Sequence, residues 1–243
     1  MNQQFLTELK AVTAENRIFT DEPMKKHTTF RVGGPADILV QPKGTELAAV
    51  IRLCRKYDVP YQVIGNGSNL LVGDRGIRGL VIEMLSKEDE ICVEDDCITV
   101  GAGMLLSKTA HRAAEHGLTG MEFAAGIPGR IGGADVMNAG AYGGEMKDIL
   151  TAVTVLDQEG NEKIHSAEEL ELGYRTSCIL KKGYIVTGAK IKLKHGEETA
   201  IRARMEELKK QRVEKQPLEY PSAGSTFKRP EGYFAGKLIM DAR

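Results

Sequence analysis

Apolar and polar positions change period several times along the chain, and each change predicts an element. Residues 5–12 alternate as a short amphipathic helix, expected as an outlying cap. An extended piece, HTTFRVGGPADILVQP, follows, with Gly33-Gly34-Pro35 as a turn signal and Pro42 as its end. From Thr45 the period becomes helical: Leu47, Val50, Ile51, Cys54 and Tyr57 share one face, Thr45 is placed to cap it, and Pro60 stops it. Tyr61 to Ile64 reads as a short buried strand, and Leu80-Val81-Ile82 as a second apolar run beyond a glycine-punctuated loop. ICVEDDCITV predicts a hairpin turning at Glu94-Asp95-Asp96, and Ser107 to His116 a helix ended by Gly117.

The stretch from Phe123 to Glu145 is so glycine-rich that it reads as loop. A hairpin, TAVTVLD-QEGN-EKIH, comes next, and Ser166-x-x-Glu169 carries a capping-box pattern that opens a short helix. Tyr184 to Leu193 alternates as a strand. Residues 197–215 predict a charged helix with a thin stripe of Ile201, Met205 and Leu208, ended by Pro217. The last segment holds a loop and the start of a helix whose apolar face is Phe234, Leu238 and Ile239. Strands and helices mix with hairpins, which favours an α+β class over a strict parallel βαβ fold. A boundary near residue 196 divides the expectation into a helical cap (1–19), a main domain (20–196) and a partial second domain (197–243).

Composition narrows the function classes. Lys and Arg number 33 against 34 Asp and Glu, a net charge of −1, which excludes a nucleic-acid binder working by bulk phosphate neutralisation. No apolar run is long enough to span a membrane, and the first residues lack the basic-then-apolar order of a secretory signal. Cys54, Cys92, Cys97 and Cys178 show no CxxC spacing, so reduced thiols in a cytoplasmic protein are expected and no metal site is. A monomer is the expected state.

The 27 glycines change the picture more. Two glycine-rich loops, residues 65–79 and 123–145, adjoin apolar strands, where glycine lets backbone N–H groups turn inward and a ligand approach closely. Neither is a P-loop, and Gly65-Asn66-Gly67-Ser68-Asn69-Leu70 lacks the third glycine of a dinucleotide fingerprint. Each alone serves a tight turn as readily as a ligand. Together, with Ser68, Asn69 and Asn138 as added donors, they point to a pyrophosphate-containing cofactor.

The runs TTFRVGGPAD (28–37), VIGNGSNLLV (63–72), GIPGxIGG (126–133), MNAGAYGGE (137–145), YRTS (174–177) and SAGSTFKRP (222–230) occur in one order, and in that order the chain resembles the UDP-N-acetylenolpyruvoylglucosamine reductase (MurB) family. The resemblance covers residue 20 to the end. It implies a two-lobed FAD-binding domain of the vanillyl-alcohol-oxidase type, followed by an α+β substrate-binding domain. It also implies non-covalent FAD and NADPH as co-substrate in peptidoglycan biosynthesis. The FAD pyrophosphate falls to Gly65, Asn66, Gly67, Ser68 and Asn69, and the flavin border to Gly126, Ile127, Gly132, Gly133 and Asn138. Ser225 is implied as proton donor and Arg175 as the group that holds the developing enolate. Tyr174 lines the site, and Lys215 and Arg229 take the diphosphate of the UDP-sugar substrate. Taken singly, Ser225 reads as a turn residue, Arg175 as an ion-paired side chain and Lys215 as a solvated one. His27 is expected to be a surface or cap histidine, not a flavin linker.

The chain departs from the family pattern in three places. Arg130 stands where Ser or Thr is usual, either meeting a phosphate or facing solvent, and Asp135 stands at a usually apolar position where burial demands a partner. The family continues past D-A-G-L and supplies a glutamate that completes its acid–base set. Here the sequence stops at Asp241-Ala242-Arg243, which implies an incomplete substrate-binding part with FAD binding retained and turnover impaired. Two readings compete with the reductase: a degenerate FAD-binding protein without full catalytic competence, and another oxidoreductase on the same fold, which the SAGSTF setting of Ser225 disfavours.

Overall fold

In the computed structural model, which describes residues 3–86 and 91–242, the chain builds two sheets with helices laid over them. Arg243 lies outside the described residues. Helix α1 (Gln3–Val12) leads into β1 (Ile18–Pro23) and β2 (Pro35–Val40). Helix α2 (Gly44–Lys56), β3 (Tyr61–Ile64) and β4 (Ile77–Glu83) complete the first lobe. Its sheet runs β1-β2-β4-β3, with β1 antiparallel to β2 and the other neighbours parallel. Helix α1 is no outlier, because Phe5 and Leu9 are wholly buried in the lobe's core with Leu47, Val50 and Ile51 of α2. Thr45 lies inside α2 and does not cap it. Its N-terminus is held by Glu46, whose Oε2 accepts the Lys43 N–H at 2.9 Å.

The second lobe begins with the predicted hairpin, β5 (Ile91–Glu94) and β6 (Cys97–Gly101), and helix α3 (Leu106–Glu115). A short β7 (Leu118–Thr119) precedes α4 (Ile131–Val136), and β8 (Gly140–Ala141) and β9 (Gly144–Glu145) pair in a tight turn. Strands β10 (Leu150–Leu156) and β11 (Glu162–Ser166), helix α5 (Cys178–Lys182), β12 (Ile185–Lys192) and β13 (Lys194–His195) follow. The main sheet of this lobe is antiparallel, β11-β10-β12-β6-β5. Asp157 closes the β10–β11 turn by accepting the N–H groups of Glu159 and Asn161. The Ser166 and Glu169 capping pair forms as expected, on a single 3-10 turn.

Helix α4 falls inside a stretch that reads as loop. Gly132 and Gly133 oppose helix intrinsically, but tertiary bonds override them: Ile131 N–H donates to Met104 O at 2.9 Å and Gly132 N–H to Ala102 O at 2.9 Å. Helix α6 (Glu198–Lys215) covers the lobe by burying Ile201 and Met205 in its core. Leu156 and Ile185, from β10 and β12, pack into the core of the first lobe, and Arg52 of α2 donates to Gly160 O at 2.9 Å. The chain then runs exposed through residues 217–234 to α7 (Ala235–Asp241), none of whose residues is buried.

Candidate active site

Both glycine loops lie where the lobes meet. Asn66 Nδ2 donates to Pro128 O at 2.8 Å, which ties the 65–69 loop to the 126–130 loop, and Leu106 N–H donates to Gly129 O at 3.0 Å. The first loop presses on the chain at residues 27–28. At Gly67, with φ +57°, a Cβ would stand 2.0 Å from His27 O, so only glycine fits. A Cβ at Gly65 would meet the Arg130 side chain at 3.2 Å. Beyond these contacts the cradle opens: Asn69 and Gly133 are exposed, nothing lies within 4 Å of a Cβ built on Gly133, and Ser68 is half-buried at the mouth.

Arg130 does not face solvent. One guanidinium nitrogen donates to Gly103 O at 2.5 Å, while its buried Nε has no partner within the protein. Burial pulls its pKa down, and the charge of Glu83 opposes that. Below it lies a cluster that no periodicity announces. His27 is not a surface histidine: its Nδ1 is 3.1 Å from Glu83 Oε2 and its Nε2 3.2 Å from Glu22 Oε1. Gln41 Nε2 also donates to Glu83 Oε2, at 2.6 Å. Burial alone pushes the Glu83 pKa up, but these hydrogen bonds outweigh it and hold the carboxyl below its usual range.

A second constellation surrounds Arg175, which sits in the left-handed region at φ +55°. That conformation costs a non-glycine residue about 1–2 kcal/mol and is recovered here by two bonds from its guanidinium, to Asn138 O at 3.3 Å and Gly140 O at 3.1 Å. Asn138 is wholly buried and its amide is spent on the protein. Its Nδ2 donates to Glu145 Oε2 and Gly173 O, and its Oδ1 accepts the Lys147 N–H. It braces the arginine loop and has no exposed polar atom to offer a flavin.

Ser225 reaches the first loop through its neighbours. Thr29 Oγ1 donates to Ser222 O at 2.6 Å, and a Cβ on Gly224 would stand 3.5 Å from Ser68 O. The Arg229 N–H donates to Tyr174 Oη at 3.2 Å, which joins the serine segment to the arginine loop. The Tyr174 ring lies 5.4 Å from the Arg175 guanidinium and is otherwise half open. Ile127 is packed against the core, and Gly126 faces a residue that sequence reasoning missed: a Cβ there would lie 3.4 Å from Arg212 Cδ of α6. Lys215 is exposed three residues further along α6, and among the described residues no hydrogen bond or ion pair joins it to the others. Asp135 is fully buried in α4 with neither carboxyl oxygen partnered, and burial raises its pKa well above the ordinary carboxylate value.

Two lobes with glycine loops at their seam define a dinucleotide-binding flavoprotein class, and the comparisons agree. Residues 36–164 match the FAD binding domain family. The UDP-N-acetylenolpyruvoylglucosamine reductase of Agathobacter rectalis is 54% identical over all of this chain and 81% of its own length. That of Clostridium perfringens is 52% identical over all of this chain and 80% of its own. The crystal structure of the MurB reductase from Thermus caldophilus superimposes with a TM-score of 0.77 at 42% identity, covering 90% of this chain and 78% of that one. An alkyldihydroxyacetonephosphate synthase, 17% identical with a TM-score of 0.59, shares the fold alone. The chain therefore belongs to the UDP-N-acetylenolpyruvoylglucosamine reductase family.

Proposed function

We propose that this protein is the NADPH-dependent flavoprotein that reduces UDP-N-acetylglucosamine-enolpyruvate to UDP-N-acetylmuramate for peptidoglycan synthesis. The observation that carries the reading is the cradle of the 65–69 and 126–133 loops, opened by glycine and floored by a half-buried arginine whose buried Nε is orphaned. Those residues suit a dinucleotide: backbone N–H groups and the Ser68 and Asn69 side chains for the pyrophosphate, and the open face of Gly133 for the ring, beside Gly132, which itself packs on Ala102. FAD, when bound, supplies the hydride relay between NADPH and the enolpyruvyl group.

The chain's own residues have three tasks. Hydride addition at one alkene carbon leaves enolate charge on the other carbon and the adjoining carboxylate. Arg175 answers it with a planar cation that cannot lose its proton and whose two carbonyl anchors fix its direction before substrate arrives. The Ser225 hydroxyl donates the proton to the enolate carbon. Tyr174 and Arg229, joined by a hydrogen bond and exposed, suit the sugar and its diphosphate, and the family resemblance assigns Lys215, exposed on α6, to the diphosphate as well. Asn138 serves as brace for Arg175, and residues 197–243 form the substrate side. Among the described residues no helix is long and apolar enough to cross a membrane. The net charge of −1 offers no surplus of cations to nucleic acid, and on the family resemblance we read the protein as a cytoplasmic enzyme acting as a monomer.

Anaerobic half-reactions test the assignment. The purified protein is expected to carry oxidised flavin, to be bleached by NADPH, and to regain its colour when the enolpyruvyl sugar is added. A colourless protein that refuses FAD, or a reduced one that the enolpyruvyl sugar does not reoxidise, overturns it.

A further inference from the structure

The His27 ring faces a carboxylate at each nitrogen, Glu83 on Nδ1 and Glu22 on Nε2. A neutral imidazole can donate from one nitrogen only, and the other lone pair would then oppose a carboxylate oxygen. The pocket thus asks for the imidazolium. It is a dry pocket, with side-chain exposures of 13% for His27, 10% for Glu83 and 15% for Glu22. The charged groups around the ring can be named. Glu22 on β1 is paired with Lys26 at 3.1 Å, Glu83 at the end of β4 is held by neutral Gln41, and Arg130 at the start of α4 acts on Glu83. Lys26 and Arg130 match the two carboxylates, so the ring proton leaves the cluster with one positive charge in excess.

This cluster touches the cradle directly. The His27 carbonyl is the atom against which Gly67 packs, and the Thr29 N–H donates to Gly67 O at 3.3 Å. Arg130 lies under Gly65. We propose that His27 is a positioning residue for the cofactor: its imidazolium holds the floor of the 65–69 loop and supplies the excess charge that favours the dinucleotide pyrophosphate, so FAD binding is linked to the His27 proton. The inference rests on the reading that the pyrophosphate lies on that loop. The hydrogen bond to Glu83 is the largest cause raising the histidine above its ordinary value of 6.5. By reciprocity, FAD uptake draws a proton onto the ring.

Flavin fluorescence titration of the apoprotein across pH tests it. FAD keeps its charge from about pH 6 to about pH 9, so a change in Kd over this window reports the protein. We expect the wild-type Kd to rise about tenfold over that range, a coupling within the usual span for linked sites. His27→Gln is expected to flatten the profile at the weak, alkaline value. Glu83→Gln keeps the ring and is expected to shift the midpoint to lower pH. Titrations in buffers of different ionisation enthalpy are expected to show proton uptake with FAD in the wild type and none in His27→Gln. A flat wild-type profile, or variants that parallel the wild type, overturns the linkage. Ser68→Glu separates the two layers of argument. Sensitivity of FAD binding to that charge combined with a flat pH profile overturns the His27 inference alone; insensitivity overturns the placement of the pyrophosphate and the inference with it.

Discussion

Asp135 costs the protein stability that a neutral side chain would restore. Both of its oxygens lack partners in a fully buried position, so burial disfavours the carboxylate and raises the pKa of the native carboxyl. With the native pKa raised above 3.8, its contribution is intact below that value and is lost as pH rises towards the native one. Asp135→Val is expected to gain about 1–3 kcal/mol near neutral pH, read as a Tm rise of roughly 2–4 °C per kcal/mol, with the gain shrinking in acid. His27 bends the curve the same way from 6.5 upward, because its native pKa is also raised. At the catalytic positions, Ser225→Ala is expected to lower kcat by about 10²–10⁴ with little change in flavin content. Arg175→Lys keeps the charge but not the fork, and is expected to cost about 10²-fold in kcat. Asp135 and Arg130 were visible in the sequence as departures from a pattern. The His27 cluster was not, since no periodicity or motif marks Glu22, Lys26 or Glu83, and 56 residues separate His27 from Glu83.

At the scale of elements, the segments legible from periodicity are those whose burial is one-sided. The stripe of Ile201, Met205 and Leu208 on α6 and the face of Leu47, Val50, Ile51 and Cys54 on α2 were read directly, and both are buried. Helix α4 was not read, because its glycines argue against helix and its support comes from Ala102 and Met104, about thirty residues away. Strand β1 was missed as well: it lies at an edge, half exposed, with no alternation to mark it. The glycine loops were legible from their own residues, whereas the implied roles of Arg175 and Ser225 came only from the order of the motifs. No local pattern tells that Asn138 faces inward to brace Arg175. Met205→Ala on α6 is expected to destabilise by about 2–5 kcal/mol, whereas Glu206→Ala, one residue on and exposed, is expected to leave the denaturation midpoint within about 0.5 kcal/mol. Equilibrium urea unfolding of the two variants checks both.

Across the whole molecule, the segment after Pro217 is attached by few bonds. The described ones reaching the lobes are Thr29 to Ser222 and Tyr174 to Arg229. Tyr174→Phe removes the second while leaving the aromatic ring, and is expected to speed tryptic cleavage after Lys228 several-fold while the rest of the chain resists, Arg229 being shielded from trypsin by Pro230.

The seam between the lobes carries a consequence for how the protein comes apart. Leu156 and Ile185 are borrowed by the first lobe from strands of the second, and α2 reaches back to clasp the β10–β11 turn. The first half keeps no closed interior without the second, whereas the core of the second draws on its own strands and helices. Heating that melts the second sheet should therefore take the first with it, and a protein emptied of its cofactor should never retain the first half alone.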